Sequence, residues 1–180
     1  MLKHIQHFDW TVMRWIQKNI KCDALDFLMP KLTKLGNGGF FWLISAVFML
    51  MSKTYQRYGV AMLVGLASGV LTGNIFLKNV VARHRPCWLE EAILLIRNPK
   101  DYSFPSCHTL SSVIAAVIMT SANWHFALFA IPIAAIIAFS RLYLYVHFPS
   151  DVLASVILGL ILGNLGLWIV LGLYYGGAVA

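Results

Sequence analysis

Charge is what this chain has least of, acidic charge above all. Seven Asp and Glu stand against fourteen Lys and Arg in 180 residues, and only 12% of the chain is charged. A soluble domain carries about 25% charged residues, so this composition excludes a water-soluble globular fold. Cysteine is also sparse: Cys22, Cys87 and Cys107 form an odd set without CxxC or other metal-ligand spacing, so no zinc site is expected. Internal repeats, low-complexity tracts and Gly/Pro/Ser-rich linkers are missing. The first twenty residues lack an uninterrupted apolar stretch, because Lys3, His4, Asp9, Arg14 and Lys18 break it, and a cleavable signal is not expected. The formal charge is +7, yet the basic residues sit at the ends of apolar runs and form no aromatic-interleaved patch. That arrangement fits phosphate-bearing lipid and not nucleic acid.

What is present is apolar surface. Hydrophobic residues make up 59% of the chain, with a mean hydropathy of +0.74. The expectation is an all-α, polytopic membrane bundle of about five spans forming a single unit over residues 1–180. Residues 1–36 should supply interfacial helices and residues 37–180 the bundle. In the first twenty residues, Leu2, Ile5, Phe8, Val12, Trp15 (or Ile16) and Ile20 recur at helical spacing, as expected for an amphipathic helix lying in the interface. Asp23–Leu35 reads the same way, with Leu25, Phe27, Leu28 and Leu32 opposed to Asp26, Lys31 and Lys34, before a break at Gly36–Gly39. Packing at the interface, and not chemistry, is the role expected of both helices.

Five apolar runs follow: Phe40–Ser52, Tyr58–Leu77 continuing through Lys78–Arg85, Thr109–Ala122, Phe126–Val146 and Val152–Tyr175. A span needs about 20 residues, so the first and third rely on their flanks. Gly65, Gly69 and Gly73 on one face, and Gly159 and Gly163 on another, predict close helix packing.

Three polar clusters punctuate these runs. Lys78 and Arg85 lie seven residues apart, so a continuous helix would put both on one stripe. Ser103–Thr109, S-F-P-S-C-H-T, opens the third run, with Pro105 and Ser106 suited to a helix start whose free N–H groups attract an anion. Taken alone, Ser106 and His108 are only a cap and a boundary residue. Ser140 and Arg141 lie inside the fourth run, where a guanidinium usually faces a polar cavity. His147 and Asp151 follow, and Asp151 is placed to accept a proton from one ring nitrogen of His147. Arg83 and His84 are expected to point away, toward headgroups. Alternating the spans across the bilayer brings all three clusters to one side.

Lys78-x6-Arg85-Pro86, then Pro105-Ser106-Cys107-His108, then Ser140-Arg141-x5-His147-x3-Asp151 resemble the three signature motifs of the type 2 phosphatidic acid phosphatase family. Cys107 stands where that family usually has glycine. The resemblance implies a metal-independent phosphatase that needs no cofactor. His108 would be the nucleophile, His147 the proton donor and base, and Asp151 the group orienting His147. Lys78, Arg85 and Arg141 would hold the phosphoryl oxygens, helped by Ser106 and the backbone at Cys107. The implied substrate is an amphiphile with a terminal phosphate, with undecaprenyl diphosphate preferred over phosphatidylglycerophosphate or phosphatidic acid. A vanadium haloperoxidase uses a similar constellation but is soluble. A non-catalytic phospholipid binder or transporter would need the cations without the His108–His147–Asp151 trio.

Trp88–Ile96 is expected to be either a short helix dipping into lipid, with Glu90 and Glu91 facing water, or a plain amphipathic loop. The family resemblance implies a site on the extracytoplasmic face. The basic residues argue the reverse: Lys3, Arg14, Lys18, Lys21, Lys31, Lys34, Arg83, Arg97 and Lys100 fall on the site side, against Lys53 and Arg57 opposite. The extracytoplasmic placement is the expectation retained.

Overall fold

The structure, a computed structural model, describes residues 2–90 and 93–176. Every regular element among them is helical. Helix α1 spans Leu2–Asn19. It turns Met13 and Ile16 inward, while Ile5, Phe8 and Trp15 face out. Asp9, on the same inward side, is completely buried. Helix α2, Asp23–Leu32, carries Asp23 and Asp26 in its first turn, where the helix dipole favours them. Its inward residue is Met29, whereas Phe27 and Leu28 are exposed.

The break expected at the glycines is real. Thr33–Gly39 is a tight connection whose backbone leaves the helical region at Asn37 and turns left-handed at Gly38 (φ 58°) and Gly39 (φ 68°). Glycine meets that demand without the strain a Cβ would add. Helix α3, Phe40–Met51, then buries Trp42, Ala46 and Met49 on one stripe.

The second long apolar segment departs from the expected single helix. Helix α4 covers Gln56–Gly69, Val70–Leu77 widens into π-helical turns, and α5 covers only Lys78–Val81. The chain then breaks at Ala82, whose φ of 44° is left-handed and whose N–H bonds Lys78 O in an αL stop. Helix therefore does not continue to Arg85. Residues after the break, including Arg83 and Arg85, are aimed by irregular backbone and not by a helical stripe. Helix α6, Pro86–Leu89, ends where Glu90 becomes extended, and residues 93–96 are not helical. Glu90 does not simply face water: it accepts from Arg14 Nη2 at 2.9 Å and from the Tyr145 hydroxyl at 2.9 Å. Those two bonds hold the Glu90 carboxyl below its ordinary value. Glu91 lies outside the described residues.

Helices α7 (Cys107–Ala122), α8 (Trp124–Tyr143) and α9 (Pro149–Gly176) complete the bundle. Four stretches, Asp23–Met51, Gln56–Leu89, Trp124–Tyr143 and Pro149–Leu173, are long and apolar enough to cross a membrane; Cys107–Ala122 is a shorter apolar helix. The core forms around α7, whose Leu110, Ile114 and Ile118 are almost wholly buried. A Cβ at Gly65, Gly69 or Gly73 would fall within 2.8 Å of Ile114 or Leu110, and one at Gly159 or Gly163 within 2.9 Å of Val113 or Val117. The glycine faces expected from the sequence thus let α4 and α9 close on α7.

Candidate active site

The helix ends meet in one cavity of about 1120 Å³. Lys78, Arg85, Cys107, His108, Arg141 and His147 line its polar end, and Leu43, Leu63, Leu66 and Val70 line a wall supplied by α3, α4 and the first π-helical residue after it. Six of the eight site residues picked from the sequence therefore share one space. Asp151 sits behind His147, out of the cavity lining. Ser106 is the other residue outside it, and it is fully buried. Its N–H donates to Ser155 Oγ at 2.8 Å, and its hydroxyl pairs with Thr109 Oγ1 at 3.0 Å. Its side chain is occupied inside the helix packing and does not line the space. Cys107 begins α7 without a positive φ, so this backbone does not require glycine.

The cations are placed by different means. Lys78 ends the π-helical stretch, while Arg85 is aimed by the extended backbone beyond Ala82. They converge on Asp101, which accepts from Lys78 Nζ and, at 2.9 Å, from Arg85 Nη2. Partial burial alone would raise the Asp101 carboxyl. The Lys78 hydrogen bond and the Arg85 and Lys78 charges more than offset this and hold it below the usual carboxylate value. Arg141 is buried and donates from Nη1 to Thr33 Oγ1 at 2.7 Å. Its Nε has no hydrogen-bond partner among the described residues. A buried guanidinium with a spare N–H is costly unless an anion completes it.

His147 is buried, and its Nε2 lies 3.1 Å from Arg85 Nη1. A guanidinium only donates, so Nε2 must accept and the ring proton belongs on Nδ1. Burial, then the charges of Arg85 and Arg141, push the imidazole well below its ordinary value, so it is neutral at pH 7. Nδ1 is 3.9 Å from Asp151 Oδ2, too far for the direct hydrogen bond expected from the sequence. Ser103 stands between them. Its Oγ is 3.5 Å from His147 Nδ1 and donates to Asp151 Oδ2 at 2.5 Å. Asp151 also accepts from Phe148 N at 2.9 Å, the return bond of a helix capping box.

His108 projects from the first turn of α7, and its Nε2 lies 2.9 Å from Asn37 Oδ1. Its ring rests on the Gly36 backbone, where an added Cβ would come within 2.7 Å of Cδ2. The connection before α3 therefore contacts the His108 side chain directly. Arg83 also departs from expectation: it turns inward, donating to Asp151 Oδ1 and Asp9 Oδ2, each at 2.6 Å. Asp9, Thr33, Asn37, Ser103 and Asp101 escaped the sequence reading. Of these only Asp101 carried a readable signal, as a lone acid two residues before the Ser103 motif and next to Lys100.

The chain as a whole is similar to known proteins. Over 139 residues the chain is 32% identical to an undecaprenyl-diphosphatase of Sulfolobus acidocaldarius, covering 76% of this chain and 66% of that protein. Over 148 residues it is 29% identical to Undecaprenyl-diphosphatase BcrC of Bacillus subtilis, covering 79% and 73% respectively. Among solved structures, a transmembrane PAP2-type phosphatidylglycerolphosphate phosphatase from Bacillus subtilis matches with a TM-score of 0.73 at 25% identity, covering 91% of this chain and 84% of that one. The sequence profile of the PAP2 superfamily matches residues 58–175, a stretch that holds all three polar clusters, and by that match the chain belongs to the PAP2 superfamily.

Proposed function

We propose that this chain is a membrane lipid phosphatase that removes the terminal phosphate of a lipid (di)phosphate through a phosphohistidine, with undecaprenyl diphosphate as the preferred substrate. The observation that carries this reading is the single cavity in which Lys78, Arg85 and Arg141 face His108 and His147 beside an apolar wall. The names of the two similar diphosphatases favour the prenyl diphosphate. The likeness to the phosphatidylglycerolphosphate phosphatase keeps that lipid as the second reading.

In this mechanism the lone pair of a His108 ring nitrogen attacks phosphorus. The new P–N bond forms as the P–O bond to the leaving group breaks. His147 delivers a proton to the departing oxygen, then takes one from the water that cleaves the P–N bond. The two negative charges of an arriving phosphoryl group offset the cations that keep His147 neutral. Nε2 then takes up the proton it will transfer, exchanging its bond from Arg85 for one to substrate. Asp101 holds Lys78 and Arg85 in the meantime, and phosphate takes its place. The cations stabilise the charge spread over the equatorial oxygens, where most of the rate enhancement of phosphoryl transfer arises.

Residues 1–180 act as one catalytic unit in the plasma membrane, with the site on the extracytoplasmic face. Supporting this, Arg83 is spent on internal ion pairs and drops out of the count of surface cations. Impermeant-reagent labelling of Lys100→Cys in intact cells, in a Cys22→Ser background, checks the orientation; protection of that position overturns it. The activity is tested by phosphate release from purified protein in detergent with a chelator present. Undecaprenyl diphosphate, phosphatidylglycerophosphate and phosphatidic acid are compared, with His108→Ala as the blank. Release that vanishes in the variant supports the reading. Folded wild-type protein that releases nothing from any of the three overturns it, and lipid binding that persists in that case identifies a binder.

A further inference from the structure

Asp9 has no place in the sequence motifs, yet it is a fully buried carboxylate on a helix otherwise suited to a membrane surface. A buried charge is costly unless several donors surround it. Asp9 accepts three such bonds: from Arg83 Nη2 at 2.6 Å and Ser150 Oγ at 2.6 Å to Oδ2, and from Ser150 N at 2.9 Å to Oδ1. Ser150 N is one of the free donors at the start of α9, so Asp9 caps that helix from a distant part of the chain. Arg83 in turn donates to Asp151 Oδ1 at 2.6 Å and to Ser150 Oγ at 2.7 Å, with its guanidinium 4.1 Å from the Phe148 ring centroid. Both oxygens of Asp151 are thereby fixed: Oδ1 by Arg83, and Oδ2 by Ser103 and Phe148 N. Ser103 is also the group that faces His147 Nδ1. A chain of contacts therefore runs from α1 to the imidazole assigned to proton transfer.

We propose that Asp9 and Arg83 form a positioning pair for the reaction. Asp9 holds Arg83, Arg83 holds the Asp151 carboxylate, and Asp151 through Ser103 keeps the His147 proton on Nδ1, leaving Nε2 aimed into the cavity. Helix α1 is thus a working part of the site. This rests on the phosphatase reading above, which it deepens by assigning who orients His147.

Asp9→Asn keeps the shape and can still cap Ser150 N, but it removes the charge that holds Arg83. The expected result is a kcat lower by about ten- to a hundredfold, the loss usual when a partner orienting a functional histidine is removed. KM for the lipid stays within about twofold, because the phosphate ligands are untouched. Further, kcat/KM should fall much less for an aryl monophosphate, whose leaving oxygen needs no proton, than for the lipid alcohol or phosphate leaving group. A merely structural defect lowers both substrates alike. Arg83→Lys, which retains one bond, should lose less than Arg83→Gln, and Asp9→Asn/Arg83→Gln should lose no more than Arg83→Gln alone. If Asp9→Asn does not fold in detergent, the Arg83→Lys and Arg83→Gln comparison carries the test. Histidine ¹⁵N spectra provide a readout independent of turnover: His147 should show the Nδ1–H tautomer in wild type and a mixture in Asp9→Asn. Wild-type kcat in Asp9→Asn and in Arg83→Gln, or equal losses on both substrate types, overturns the pairing. An inactive wild type with the spectral change present refutes only the phosphatase reading, and an unchanged spectrum refutes the positioning pair itself.

Discussion

At the residue scale, the state of His147 decides how the site begins its cycle. Its Nε2 accepts from Arg85 and its surroundings disfavour the cation. The free protein should therefore show a neutral ring through pH 7 and well into the acid range by ¹⁵N NMR; a ring protonated at pH 6 would contradict this. Bound vanadate or phosphate should raise that titration, since it offsets Arg85 and Arg141. Asp101 supplies a second prediction. Its carboxylate occupies Lys78 and Arg85, so in the proposed mechanism it competes with substrate. Asp101→Asn should therefore lower KM and strengthen inhibition by inorganic phosphate several-fold, with kcat changed less; a raised KM would show that Asp101 instead organises the cations. Arg141 was legible by its setting, a guanidinium inside an apolar run, whereas His108 alone read as a boundary residue and stood out only through the three spaced motifs together. Asp9, Asn37 and Ser103 were not legible. A lone polar residue on an amphipathic helix or in a loop looks the same whether it meets water or, as Asp9 does, a buried arginine from 74 residues on.

At the element scale, the helices themselves were readable from apolar periodicity, and their interruptions only partly so. The glycines at 36–39 announced a break, and left-handed Gly38 and Gly39 form it. Ala82 gave no such warning, because alanine favours helix, yet its φ is positive. The connection before α3 offers a test of how tightly an element supports the chemistry. Gly36 has no positive φ, so alanine suits its backbone, yet the new Cβ would meet His108 Cδ2 at 2.7 Å and Ile137 Cγ2 at 3.0 Å. Gly36→Ala should therefore displace the His108 ring and lower kcat about tenfold or more, since small misplacements of a reacting group are expensive. The thermal midpoint should move little by comparison. Gly166→Val is the complement: its Cβ would press on Ala61 O at 3.0 Å and on the Gly65 backbone at 3.3 Å. Backbone cannot yield as a side chain does, so that variant should cost about 1–3 kcal/mol of stability, with activity per folded molecule retained.

At the scale of the whole molecule, a charged reaction site and an apolar membrane body have to share one substrate. The cavity spans that boundary, with Lys78, Arg85 and Arg141 at one end and Leu43 of α3, Leu63 and Leu66 of α4 and Val70 of the π-helical stretch along its wall. Val70 is about half exposed, at 49%, so this wall is open on its outer side, where the bilayer would lie. Ligand pockets of roughly 300–1,000 Å³ suffice for a drug-sized molecule. A cavity of about 1120 Å³ therefore holds a phosphorylated head and the first part of a chain, leaving the rest of a long tail in lipid. A tail that entered past Val70 would let the head reach the cations without passing through water. Narrowing the outer wall should then discriminate between substrates by their tails alone. Val70→Trp should raise KM for a long prenyl diphosphate several-fold and leave kcat/KM for a short-chain or aryl monophosphate unchanged, because a small substrate has no tail to lay along that wall. Equal losses for both substrates would mean that the tryptophan had disturbed the π-helical stretch that carries Lys78, and unchanged kinetics for both would place the lipid path elsewhere on the bundle.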